Sequence, residues 1–399
     1  MSKIILSAQL ITLIRHIRWI NDNLADSEEM QRNLLQLVSS ILTVMLDENP
    51  KVQEAASSAL IKIFDSLADN DQQDVLESSV PQILMYVQKA SDMYGAKNSL
   101  ILCDVIGVIH TTFEKVISEK SSDCTPYYLP FMVKKLEQFD DPSDPNMLIV
   151  LENFALVVRT IKLEIQSAAL LLFHRALIVI EEAMRRHKED LTEKVGDDSC
   201  LLYTVHDDEY VDFVVYGLQL LEDLAVGLCD NFSVLLTADT ERIRVENIIN
   251  YCIGDHHEDV RALSFGFLGS LDTLCYPKLN LPYDNVLRCI LVNFDPIYPG
   301  PCQNAVWLLG ELVLKGGKEM IAPHLSSFVS ALVQLVNKVD EKKGFDPLQT
   351  SIWERVMKST SPIEAVQVLY FYNEMSIDVR LTATPFMSVF QIYHTPLQF

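Results

Sequence analysis

The residues of this 399-residue chain that could do chemistry are scattered histidines, carboxylates and tryptophans. His256 and His257 lie between Asp255 and Glu258, and metal sites use these residue types. Adjacent histidines on a helix point about 100° apart, however, whereas chelating pairs are spaced four residues apart. We therefore interpret this segment as the polar turn that begins a helix.

Sequence signatures of common enzyme classes are missing. No glycine-rich run leads into Lys-Ser or Lys-Thr, so no phosphate loop is predicted. No Gly-x-Ser-x-Gly elbow is present either. A helical enzyme stays open as an alternative, but no set of residues converges on a site. We predict no catalysis, no cofactor and no metal.

Trp307 is the aromatic residue whose helical position most suggests binding. Asn304 and Glu311 lie on the same helix face as Trp307. The opposite apolar face is predicted to be the core face and consists of Val306, Leu309 and Val313. Trp307 is therefore expected to point into a groove with polar neighbours. Packing, the commoner role of a tryptophan on such a helix, is the alternative.

Composition narrows the class of partner. The chain has 55 acidic against 32 basic residues, a formal net charge of -23, which repels nucleic acid and anionic lipid and attracts basic partners. Acidity that serves only solubility is the alternative interpretation. Eight cysteines without a Cys-x-x-Cys pair indicate a reducing compartment, the cytoplasm or nucleus. The apolar run 168–180 is too short to span a membrane, so no membrane partner is predicted.

Apolar residues recur every three or four positions along the chain, which predicts helix after helix. Six helix pairs are predicted: 28–47 with 50–67, 76–91 with 96–118, 126–138 with 145–162, 165–186 with 208–228, 238–253 with 256–275, and 283–293 with 299–316. A repeat of about 40–50 residues is typical of HEAT and armadillo arrays. We predict an all-α, superhelical α-solenoid of HEAT repeats over residues 1–338.

Four segments lie outside these six pairs. The first pair is expected to be incomplete, with only its second helix at 4–20, and 321–338 is expected to begin a further pair. A polar stretch at about 187–207 predicts a long surface loop. Residues 339–399 lose the periodicity and are predicted to form a divergent C-terminal tail.

The turns between helices carry a local motif. Glu258-Asp259-Val260-Arg261 and Asn49-Pro50-Lys51-Val52 each precede or open a second helix. In the first motif the acid is expected to cap the helix N-terminus, and the valine of each motif to pack against the preceding helix.

Five segments resemble the transportin family of importin-β-type nuclear import receptors, in the family's order. They are Asn49–Leu60, Lys97–Gly107, Asp212–Leu228, Glu258–Gly269, and Cys302–Leu312 with its Asn-Ala-x-Trp-x-x-Gly-Glu run. The resemblance covers roughly residues 8–338. It implies a nuclear import receptor whose second helices line an acidic, partly apolar concave face. That face binds nuclear localisation signals with a basic or hydrophobic stretch and a C-terminal Pro-Tyr.

The resemblance also implies the site residues of that face. The retained positions are Arg15, Asp65, Asp104, Glu152, Val215 and Trp307. Thr111, Gln219 and Ser270 stand where the family has aspartates, and Ile11 where it has a tryptophan. Glu222 and Asp223, three and four residues after Gln219, are expected to restore part of the lost charge.

Further partners follow from the same resemblance. Nucleoporins are expected to bind, and the family's N-terminal half, which binds the GTPase Ran, has no counterpart in the matched region. We therefore expect a fragment, a truncated paralogue or an incomplete gene model, whose cargo GTP-loaded Ran does not release. A generic HEAT-repeat scaffold for a protein complex is the alternative function.

Overall fold

The computed structural model describes residues 28–194, 206–295, 297–312, 322–324, 327–328 and 331, which form helices and turns without a β-strand. The predicted all-α class is confirmed. The longer helices are α1 Glu28–Met45, α2 Pro50–Asp69, α3 Val80–Ser91, α4 Ala96–Thr112, α5 Leu129–Glu137, α6 Pro145–Ile161, α7 Gln166–Lys194, α8 His206–Leu228, α9 Asp239–Cys252, α10 Glu258–Ser270, α11 Tyr283–Val292 and α12 Pro299–Glu311. Short helical segments at Glu114–Glu119, Ser121–Cys124 and Phe232–Leu235 and several 3-10 turns join them.

These twelve helices are the six predicted HEAT-type pairs, with ends shifted by a few residues. The odd-numbered helix of each pair is its first helix and the even-numbered helix its second. The predicted helices at 4–20 and most of 321–338, and the tail at 339–399, lie outside the described residues.

The chain forms two compact units. Of the described residues, one unit contains 28–186 together with 226–228, and the other contains 187–194, 206–225 and those from 229 to 331. Within each unit, second helices pack side by side: α2 against α4 and α4 against α6 in the first unit, and α10 against α12 in the second. This arrangement places the polar residues of successive second helices beside one another.

Buried hydrogen bonds set the register between α2 and α4. The side-chain nitrogen of Asn98 donates to the carbonyl oxygen of Pro50 at 2.8 Å, and the Thr112 hydroxyl donates to that of Phe64 at 3.3 Å. Each pair is 48 residues apart in sequence. Because both ends of α4 keep this offset, the two helices run alongside each other for their shared length.

The helix starts agree only in part with the predicted capping. Asn49 caps α2, since its side chain accepts a hydrogen bond from the backbone nitrogen of Lys51 at 3.0 Å. At α10 the cap is His257, whose ring accepts from the backbone nitrogen of Asp259, and not an acid as predicted. Glu258 is instead the first helical residue. Val52 and Val260 are fully buried, as expected from the motif.

The predicted loop at about 187–207 is shorter than expected, because α7 continues to Lys194 and α8 begins at His206. His187 is buried: its ring stacks on Tyr210 with centroids 4.2 Å apart, and Nδ1 lies 3.2 Å from the Tyr251 hydroxyl. Lys, Glu and Arg are good helix formers, so a polar composition does not end a helix.

One stretch of the described residues, Pro145–Glu189, is long and apolar enough to cross a membrane by length and composition alone. It consists of α6, the turn Lys162–Ile165 and most of α7. Half of its apolar window is buried inside the protein, as in the core helices of a helical array.

Candidate functional surfaces

Three predicted site residues lie on successive second helices of the first unit. Asp65 is on α2, Asp104 on α4 and Glu152 on α6, and we refer to these three as the acidic row. Glu152 is exposed, whereas Asp65 and Asp104 are partly buried. All three are therefore at least partly accessible to a partner.

Two members of the acidic row lie level with each other and the third does not. Asn153, next to Glu152, bonds directly to Asp104, so Asp104 and Glu152 lie at the same height on α4 and α6. With the offset of 48 residues between α2 and α4, Asp65 lies level with the end of α4. At 1.5 Å per residue it is about 14 Å along the axis from Asp104.

The carboxylate of Asp104 has one neutral hydrogen-bond partner. Its Oδ1 accepts a hydrogen bond from Nδ2 of Asn153 at 3.0 Å, and no cation is paired with it among the described residues. Partial burial raises the pKa of Asp104, and the bond from Asn153 opposes that rise. A half-buried carboxylate with a single neutral donor favours the approach of a cation.

Asp65 differs because it already has a cationic neighbour. Its Oδ2 lies 3.6 Å from Nζ of Lys62, one helical turn earlier. The Lys62 side chain is largely exposed, at 62%, and that of Asp65 is partly exposed, at 43%. Exposed pairs of this kind contribute about 0–1 kcal/mol, so an incoming cation could displace Lys62 readily.

Val215 and Trp307 belong to the second unit and lie on helices that do not adjoin. The side chain of Glu222 on α8 contacts α10 at Gly266, and Trp307 on α12 contacts α10 at Gly269. Val215 is two turns before Glu222 on α8. Both Val215 and Trp307 are partly exposed, and both of their helices contact α10.

The predicted core face of α12 is wrong by about one residue. The buried face consists of Cys302, Ala305, Leu308, Leu309 and Leu312, while Val306 is partly exposed; Val313 lies outside the described residues. Apolar residues flank this buried face on both sides. The apolar pattern of the sequence therefore did not determine which face of α12 is buried. The Trp307 ring is consequently half-buried against the backbone of Gly269 rather than free in a groove.

Gly269 is the residue that makes this contact possible. A Cβ added there would lie 2.6 Å from a ring carbon of Trp307. We expect Gly269→Ala to move the indole, shift the tryptophan fluorescence and lower stability by about 1–3 kcal/mol. Gly310→Ala is the matched control, because a Cβ at Gly310 meets nothing within 4 Å. Equal fluorescence spectra and stabilities for the two variants would contradict this packing.

The charges expected to compensate for Gln219 are only partly available. Nε2 of Gln219 donates to Oδ2 of Asp223 at 3.1 Å, and Asp223 is buried. Glu222 is partly exposed, but its carboxylate lies against Gly266. Asp223 therefore does not restore surface charge, and Glu222 does so in part.

Several other predictions concern chemistry. Arg15 lies outside the described residues. Among the residues that the structure describes, no group of three or more His, Cys, Asp or Glu side chains is arranged to hold a metal. The described cysteines have free thiols, and most are buried.

Sequence reasoning missed Asn153, since its partnership with Asp104 depends on the register between α4 and α6.

Comparisons with known proteins agree with the resemblance predicted from the sequence. No family model matches. Transportin of Dictyostelium discoideum is 27% identical over 336 residues, which cover 84% of this chain and 33% of that protein. Human transportin-1 is 24% identical, with 83% and 34% covered. The crystal structure of importin beta aligns with a TM-score of 0.45 at 12% identity, covering 86% of this chain and 47% of that one.

The similarity to transportins is thus confirmed. The chain spans about a third of the length of the curated relatives it matches.

Proposed function

We propose that this chain is the cargo-binding part of a nuclear import receptor of the transportin type, acting in the cytoplasm and nucleus. The acidic row of the first unit binds cationic side chains of nuclear localisation signals, and Val215 and Trp307 of the second unit bind apolar side chains of such signals. Arg15 is part of the same proposal. The observation that carries it is Asp104, a half-buried carboxylate held by one amide and left without a cation.

The spacing of the acidic row suggests the form of the ligand. Asp65 and Asp104 are about 14 Å apart along the helix axes, and adjacent helix axes are about 8–10 Å apart. The diagonal equals about five residues of extended chain at roughly 3.3–3.6 Å per residue. Two cations about five residues apart would therefore reach both carboxylates, and a third cation near the one at Asp104 would meet Glu152.

A set of fluorescent peptides tests this proposal. The parent peptide carries two arginines about five residues apart and a C-terminal Pro-Tyr; one variant replaces both arginines by glutamine, and another replaces Pro-Tyr by alanines. We expect each variant to bind more weakly than the parent. The arginine contribution should shrink as salt rises, because it is electrostatic.

Trp307→Ala provides the complementary variant of the protein. It should weaken the parent peptide by about tenfold, with little dependence on salt, because it removes apolar and stacking surface. A titration that finds equal affinity for all three peptides, in the wild type and in Trp307→Ala, would refute the proposed function. Co-purification of one stable set of subunits, with no peptide binding, would favour a scaffold instead.

A further inference from the structure

We infer that Asn153 is a positioning residue for Asp104, and that Gly107 is the notch that admits the Asn153 amide between α4 and α6. The effect on ligand binding rests on the proposed function. The effect on the Asp104 carboxylate stands by itself. Three contacts carry the inference.

The first contact fixes the Asn153 amide. Asn153 is only 5% exposed, and its Nδ2 donates to the carbonyl oxygen of Ile149 at 2.7 Å and to Oδ1 of Asp104 at 3.0 Å. Both amide hydrogens are thereby used. The flipped amide would place its oxygen against a carbonyl and a carboxylate, so the hydrogen-bond network determines the orientation.

The second contact explains why residue 107 is a glycine. In this orientation the amide oxygen of Asn153 faces the backbone of α4, and a Cβ added to Gly107 would lie 1.8 Å from that oxygen and 2.9 Å from Cγ. No side chain at Gly107 is compatible with Asn153 where it stands. Gly107 follows Asp104 by three residues, so the notch and the carboxylate share one face of α4.

The third contact concerns Asp104 itself. Asn153 occupies Oδ1 and leaves Oδ2 without a hydrogen-bond donor among the described residues. A neutral amide holds the carboxylate in place and leaves its charge intact, whereas a lysine or arginine would neutralise it. The arrangement keeps Asp104 ionised, oriented and able to accept a cationic donor.

A double-mutant cycle separates positioning from general structural support. Asn153→Leu keeps the branching and the number of side-chain heavy atoms and removes both hydrogen bonds. We expect it to weaken a basic peptide about fivefold to tenfold in the wild type, and less than about twofold in an Asp104→Ala background. Equal losses in the two backgrounds would overturn the positioning role.

Thr160→Val is the matched control on the same helix. Thr160 is 4% exposed, and its hydroxyl bonds only within α6, to the carbonyl oxygen of Leu156 at 3.0 Å. We expect this control to change stability without changing the affinity for the peptide. Thermal melts of every variant report whether α6 remains folded.

A measurement without any ligand tests the inference independently. The Asp104 carboxyl carbon, followed by NMR as pH changes, should titrate at a higher pH in Asn153→Leu than in the wild type, since Asn153 lowers that pKa. Gly107→Ala should give the same shift by displacing the amide, and serves if Asn153→Leu does not fold. An unchanged titration in a folded variant would overturn the inference. If Asp104→Ala binds basic peptides as well as the wild type, the proposed function fails, and the titration still decides this point.

Discussion

Replacing Asp104 by asparagine should weaken the binding of a cationic peptide about tenfold, or ~1.4 kcal/mol, and leave the protein at least as stable at pH 7. The amide oxygen of the new residue can still accept the hydrogen bond from Asn153. The charge that attracts the ligand is lost, and so is the free-energy cost of holding that charge in a partly buried place. Loss of binding with retained stability is typical of a residue that serves a ligand.

The pH dependence of stability gives an independent check. Burial raises the pKa of Asp104 above its ordinary value of 3.8. The folded state then binds a proton more tightly than the unfolded state, so this residue reduces stability as pH rises through that range. Asp104→Asn should remove this contribution. Binding of a cationic peptide to the wild type should weaken as pH falls toward the raised pKa, because protonation removes the charge.

Glu137→Gln is the matched control for charge. Glu137 is exposed on α5, a first helix, and its replacement changes the net charge by the same amount. Isothermal titration of one basic peptide into the three proteins, with urea unfolding of each, measures both properties. The cation-binding role of Asp104 is wrong if Asp104→Asn and Glu137→Gln reduce the affinity equally.

The fold was predictable because helical periodicity is local. The turns at Asn49 and His257 and the alternation of first and second helices follow from spacings within a few residues. Errors arose where the sequence fits two local structures almost equally well. On α12 apolar residues occupy two adjacent faces of the helix, and packing against α10 determines that the face with Ala305 is buried. The polar sequence at 187–194 is compatible with both a loop and a helix, and burial of His187 favours the helix.

The candidate surfaces were less predictable because they depend on register between helices. Sequence identifies Asp104 and Glu152 as acids on second helices but does not reveal that they are level. Asn153 and Gly107 have no visible role until α6 is placed beside α4. Similarly, the burial of Asp223 depends on how α8 packs, and a count of charges along that helix overestimates the negative surface.

His110 is a further residue that sequence alone does not single out, and it should make the first unit sensitive to acid. It is 1% exposed on α4, with its ring edge-on to Tyr128 at 4.7 Å between centroids. Neither ring nitrogen has a hydrogen-bond partner among the described residues. Burial therefore lowers the pKa of His110 from 6.5 to about 3, and no charged neighbour contributes to the shift.

The sign of the effect follows from proton binding. In the unfolded chain His110 takes up a proton below about pH 6.5, whereas in the folded chain it stays neutral until about pH 3. The unfolded state thus binds more protons in this window, and stability falls as pH falls, by about 1.4 kcal/mol per pH unit from this residue. Between about pH 7.5 and about pH 5 we expect a loss of roughly 2 kcal/mol.

His110→Leu should remove this loss, because leucine fills a similar volume and has no group to protonate. The measurement is the free energy of urea unfolding of wild type and variant across that pH range, in which the two curves should diverge as pH falls. Ile109→Leu is the control: Ile109 is fully buried next to His110 on α4 and has no group to protonate, so its replacement should leave the acid dependence unchanged. Parallel curves for the wild type and His110→Leu would mean that His110 accepts its proton in the folded state, through an opening of α4 that exposes the ring.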